Sequence, residues 1–136
     1  MTTAVDTNVL LDILVPNPAF VGRSSLALQQ AADAGGIVVC EVVYAELCCH
    51  FGAQHECDEF LRDCGIRVEG LSREAGFRAS RAWTLYRRRG GKRIRILPDF
   101  LIGAHAEVQA SRLLTRDRGF YREMFSTLRI DDPSGS

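Results

Sequence analysis

Four consecutive apolar residues, Ile37-Val38-Val39-Cys40, give a strand no polar side to turn toward water. Such a run marks a strand covered on both faces, which requires a parallel sheet packed between helices. The rest of the chain reads the same way. Residues 4–6, 66–69, 112–115 and 128–130 are further short strand candidates, and helical patterns separate each from the next. Thr7 or Asn8 caps a short helix over 9–14, which Pro16 and Pro18 break. An amphipathic helix over 20–34 stops at Gly35-Gly36, and helices over 41–52 and 54–64 follow the buried strand. Ser72 caps a long helix with Ala75, Ala79, Ala82 and Tyr86 in one stripe, ending at Gly90-Gly91. Pro98 opens another, with Leu101, Ala104 and Val108 on one face, and residues 117–125 form the last. Strands alternating with helices predict an α/β fold, a mainly parallel central sheet flanked by helices on both faces. At 136 residues the chain suits a single domain over 1–131 with a polar tail over 132–136.

Composition narrows the class only a little. The chain is 46% hydrophobic and 25% charged with zero net charge, so it can bury a core and overall charge points to no partner. The first residues lack a basic segment followed by an apolar stretch, and no apolar run approaches the ~18 residues of a membrane span. The expectation is a cytoplasmic protein with no membrane partner. All five cysteines fall between Cys40 and Cys64, an odd number that argues against a disulfide framework. Cys57, Phe60, Leu61 and Cys64 follow helical spacing, so these two thiols are expected to face the core. A zinc site from Cys48, Cys49, His50, His55 and Cys57 lacks the usual ligand spacing.

Chemistry concentrates in acids at the ends of strands. Asp6 ends the first strand candidate, Asp117 follows the strand 112–115, and Asp99 stands directly after Pro98. In open parallel sheets the crevice beyond the carboxyl ends of the strands is where ligands bind. Glu46 lies in the second turn of the helix after Cys40, within reach of the same crevice. Taken singly, Asp6 and Asp99 read as helix caps, Glu46 as a solvated helix residue and Asp117 as a turn former. Asp6 and Glu46, however, sit inside apolar stretches, and a buried carboxylate needs a partner or a metal. No basic residue is expected to serve them; Lys92 is the lone lysine, and Arg116 and Arg118 are the arginines beside these motifs. Carboxylates brought together repel by about 4 kcal/mol per pair at ~4 Å and an effective dielectric near 20. A cation relieves that, and all-oxygen donors favour Mg²⁺ or Mn²⁺ over zinc.

Four ordered blocks carry a resemblance. They are Asp6-Thr7-Asn8-Val9-Leu10-Leu11-Asp12, Val43-Tyr44-Ala45-Glu46-Leu47, Pro98-Asp99-Phe100-Leu101-Ile102-Gly103-Ala104-His105-Ala106, and Leu113-Leu114-Thr115-Arg116-Asp117-Arg118-Gly119-Phe120-Tyr121. The chain resembles PIN-domain ribonucleases, in particular the VapC-type toxins of type II toxin–antitoxin pairs. The resemblance implies that Asp6, Glu46, Asp99 and Asp117 hold Mg²⁺ or Mn²⁺ and cleave RNA, with Asn8 and Thr115 as polar supports. It also implies a cognate antitoxin that obstructs the site and a homodimeric toxin. The cysteine-rich segment after Glu46 departs from the family pattern.

Between Arg73 and Arg95 there are nine basic residues against the single acid Glu74, a net of +8, so the remainder carries −8. Arginines at a helix C-terminus complement its dipole, which accounts for Arg87, Arg88 and Arg89. It does not account for Lys92, Arg93 and Arg95, which continue the strip beyond the glycines and point to contact with an RNA backbone. Asp12 is expected in a solvated position, His105 as a surface or packed histidine rather than a general base, and Trp83 and Tyr86 in packing roles. Other functions fit less well. A haloacid-dehalogenase-like phosphatase needs an acid where Asn8 stands, and a phospho-receiver needs a lysine after a late strand. Neither GxGxxG nor a Walker loop occurs. A non-catalytic RNA-binding module and a related nuclease acting on DNA are the remaining alternatives.

Overall fold

A computed structural model describes residues 1–91 and 95–135. Its strands are β1 (Thr3–Val5), β2 (Ile37–Cys40), β3 (Ile66–Glu69), β4 (Arg112–Leu114) and β5 (Ile130–Asp131). The helices are α1 (Thr7–Leu14), α2 (Val21–Ala34), α3 (Glu41–Cys48), α4 (Gln54–Asp63), α5 (Arg73–Arg88), α6 (Leu97–Gln109) and α7 (Arg118–Met124). The strands form one sheet in the order β3-β2-β1-β4-β5, with every neighbouring pair parallel. The expected α/β architecture is therefore present, and β1 and β2 are buried along their whole length.

Topology decides where a site can form. The chain moves outward from β1 to β2 and β3, then returns through α5 and α6 to place β4 on the other side of β1. Strand order thus reverses between β1 and β4, which pair with Val5 beside Leu114. The Asp6 amide continues that ladder by donating to the Leu114 carbonyl at 2.9 Å. Asp6 and Thr115 consequently leave neighbouring strands side by side at the topological switch point.

Several sequence expectations shift. The cap of α1 is Asp6, whose side chain accepts from the Thr7 amide, and not Thr7 or Asn8. The last strand is Ile130–Asp131, starting two residues later than expected, and Leu128 is a buried loop residue. Helix α6 was expected to bury one face, yet Phe100, Ile102, Gly103, Ala104, His105 and Ala106 are all buried. The reason is its position: it packs against α5, α3, β1 and β4 together. Small residues allow that enclosure. The expected stripe Ala75, Ala79 and Ala82 is buried on α5, and Gly103 lies against the Phe125 ring. A ladder of ring contacts, Tyr86–Phe100–Phe120–Tyr121–Phe125, then ties α5, α6 and α7 together.

Cys40 and Cys57 are buried thiols, Cys48 and Cys64 are partly buried, and Cys49 is exposed. Among the described residues no helix is long and apolar enough to cross a membrane.

Candidate active site

Asp6 is 7% exposed and sits at the centre of a hydrogen-bonded corner. Its Oδ1 accepts from the Thr7 amide at 2.7 Å, and its Oδ2 accepts from Thr115 Oγ1 at 2.8 Å and from Asn8 Nδ2 at 3.4 Å. Thr115 Oγ1 also accepts the Asp117 amide at 3.0 Å. One threonine hydroxyl therefore links the acid after β1 to the acid before α7. Asn8 closes the arrangement by accepting the Arg116 amide at 3.2 Å. Asn8 and Thr115 thus both hydrogen-bond the Asp6 carboxylate.

Glu46 reaches the same corner from α3. Thr7 Oγ1 donates to Glu46 Oε1 at 2.6 Å. The apolar stretch around Glu46 suggested burial, but the residue is exposed on its helix. Its neighbours Val43 and Leu47 take the core side instead. Asp99 and Glu46 both line a cleft of about 580 Å³, together with Glu41, Val42, Ala45, Ile96 and Pro98. Asp99 Oδ2 accepts the Ile96 amide at 3.1 Å, so this acid also caps its own helix. A second cavity of about 470 Å³, bounded by α2, β4, β5 and α7, contains none of the four carboxylates.

Electrostatics distinguishes these acids. Burial, opposed by the Thr115, Thr7 and Tyr121 hydrogen bonds and aided by the Glu46 charge, raises the Asp6 carboxyl to about 6. Burial and the negative charge of Asp6 push the Tyr121 phenol well above its ordinary value, so it stays a neutral donor. Asp117 is different. Contrary to the expectation that no basic residue serves the acids, Arg95 forks onto both of its carboxylate oxygens. Asp12, expected in solvent, is 3% exposed; it accepts a second fork from Arg116 at 2.8 and 2.9 Å and a hydrogen bond from Ser24 at 2.7 Å. It belongs to the support of α1 rather than to the cleft.

The residue types suit a hard divalent cation: four carboxylates, flanking hydroxyls and a buried acid whose hydrogen bonds come from neutral donors. Among the described residues, no three acidic, histidine or cysteine side chains stand close enough to hold one ion between them. Glu46 and Asp99 line one cleft, and Asp6 and Asp117 are linked through Thr115. Of the basic strip, Arg87, Arg88 and Arg89 are exposed at the end of α5, and Arg87 lies over the Trp83 ring. Lys92 and Arg93 fall outside the described residues. His105 is buried and pairs with Glu69 at 2.9 Å, in keeping with a packing role.

Thr7 and Tyr121 were not singled out by sequence for the site. Both lie inside motif blocks, but a threonine after an aspartate reads first as a cap, and a tyrosine on α7 reads first as core.

The sequence profile of the PIN domain matches residues 3–123. The chain belongs to the PIN-domain family. Solved structures agree with that fold. This PIN domain is similar to a chain of VapBC2 from Rickettsia felis bound to a DNA fragment from their promoter, with 20% identity and a TM-score of 0.73 over 97% of this chain and 98% of that one. It is similar to a chain of a toxin–antitoxin complex from Klebsiella pneumoniae, with 18% identity and a TM-score of 0.63 over 98% and 99%. VapBC-1 from nontypeable Haemophilus influenzae gives 16% identity and a TM-score of 0.70 over 98% and 99%. No curated protein sequence matches the PIN domain described here.

Proposed function

We propose that this PIN domain is the toxin of a toxin–antitoxin pair, an endoribonuclease that requires Mg²⁺ or Mn²⁺. The observation that carries the proposal is the joining of Asp6 and Asp117 through one hydroxyl, Thr115 Oγ1, at the reversal of strand order. Asp6, Glu46, Asp99 and Asp117 are the carboxylates that would hold the cation. When bound, such an ion supplies Lewis acidity toward a phosphate oxygen. The protein's own part is to orient those acids: Thr115 and Asn8 fix Asp6, and Thr7 fixes Glu46. The arginine strip, Arg87, Arg88 and Arg89 with Lys92, Arg93 and Arg95, would draw in the RNA backbone and carry affinity without sequence information.

Toxin–antitoxin complexes among the structural neighbours support a protein partner. For this chain the proposed partner is a cognate antitoxin that covers the cleft, and the proposed assembly is a homodimer in the cytoplasm. The test is cleavage of end-labelled RNA, including tRNA and rRNA, by purified protein with Mn²⁺ or Mg²⁺. Cleavage should vanish with chelator and in Asp6→Asn and Asp99→Asn, and expression should arrest growth only for the wild type. Intact RNA under all metal conditions would overturn the proposal, and cleavage confined to DNA would replace it with the alternative nuclease.

A further inference from the structure

The Arg95–Asp117 fork is the feature of the corner that the nuclease reading leaves unexplained. Arg95 Nη2 donates to Asp117 Oδ1 at 3.0 Å and Nη1 donates to Oδ2, so both carboxylate oxygens are engaged. The guanidinium lies over the Phe120 ring, 4.3 Å from its centroid. Among the described residues, the hydrogen bonds to Asp6, Glu46 and Asp99 come instead from neutral groups, namely amides, an asparagine and hydroxyls.

We propose that Arg95 is an internal counter-ion that competes with a divalent cation for Asp117, so that loading the site requires the fork to open. This rests on the metal-dependent reading above. A carboxylate whose two oxygens face a guanidinium offers little to a hard cation, and the positive charge repels that cation as it enters. The pair is built to open. Its side chains are 28% and 33% exposed, and ion pairs so accessible to water are weak. Phe120 remains as a platform for the released guanidinium, whose fork matches a phosphate as well as a carboxylate. Arg95 would then exchange one anion for another as ion and substrate arrive.

The test is calorimetric titration of Mn²⁺, without RNA, into metal-stripped wild type, Arg95→Gln, Arg95→Lys and Arg62→Gln. Arg62 is an exposed arginine on α4 and controls for loss of charge elsewhere. Arg95→Gln should bind Mn²⁺ on the order of 5-fold more tightly, Arg95→Lys should fall between, and Arg62→Gln should match wild type. A merely structural Arg95 would leave Mn²⁺ affinity unchanged or lower it. That result, with wild type binding normally, overturns the competition and leaves the metal reading intact. Absence of Mn²⁺ binding in all four proteins overturns both. Thermal unfolding without metal confirms that each variant is folded, and if Arg95→Gln is not, Arg95→Lys against wild type decides the question alone.

Discussion

Thr7 Oγ1 donates a 2.6 Å hydrogen bond to Glu46 Oε1, so the first residue of α1 holds a carboxylate that belongs to α3. Glu46 is exposed, and without this tether its side chain would sample several rotamers. Thr7→Val keeps the shape of the buried residue and deletes the donor. Stability should fall by no more than about 1 kcal/mol, because water can solvate the freed carboxylate. Metal-dependent cleavage should fall on the order of tenfold through loss of positioning. Denaturant unfolding and kcat measured in parallel check this, and unchanged kcat would remove Thr7 from the site.

Burial raises the Asp6 carboxyl from its ordinary 3.8 to about 6. Between those values the folded chain binds more protons than the unfolded one. Wild-type stability contributed by this group is therefore full below about 4, declines as pH rises to about 6, and stays lower above it. Asp6→Asn removes the titrating group and with it the decline, so it should gain about 1–3 kcal/mol on wild type between pH 4 and pH 7. Melting curves across that range are the check. Parallel profiles would show that Asp6 is not the titrating group.

The Arg116 guanidinium covers the Phe20 ring at 4.1 Å while it forks onto the buried Asp12. Arg116→Ala leaves that carboxylate with Ser24 and no cation, at a cost of about 3–5 kcal/mol. Restoring neutrality with Asp12→Asn in the same chain should recover much of the loss. A urea double-mutant cycle measures the coupling, and additive losses would mean that the pair contributes little.

A Cβ on Gly103 would stand 2.4 Å from the Phe125 ring. Phe125 is completely buried beneath the Arg78 guanidinium. Gly103→Ala gains about 1 kcal/mol of helix propensity but should lose about 1–3 kcal/mol to overpacking. The net result is a lower unfolding midpoint, and, because α6 carries Asp99, a lower kcat as well. A stabilised variant would mean that the ring yields.

Ile37-Val38-Val39-Cys40 was legible as a doubly covered strand because a continuous apolar run has no alternative use in a chain of this composition. The alanine stripe of α5, the Ser72 cap and the alternation of strands with helices were legible for the same local reasons. Strand ends were less so, since β5 is two residues long and pairing alone fixes its start. The ordered blocks around Asp6, Glu46, Asp99 and Asp117 likewise marked which acids to watch. Sequence by itself determined the class of sheet and the family blocks, because those depend on residue type and spacing along the chain. Tertiary structure alone decided which side chain each acid meets. Arg95 on Asp117, Arg116 on Asp12, Thr7 on Glu46 and Thr115 on Asp6 are separated in sequence by 22, 104, 39 and 109 residues. The return of the chain from β3 to β4, on the far side of β1, brings Thr115 to Asp6 and Arg116 to Asp12, while the direct pairing of β1 with β2 brings Thr7 to Glu46.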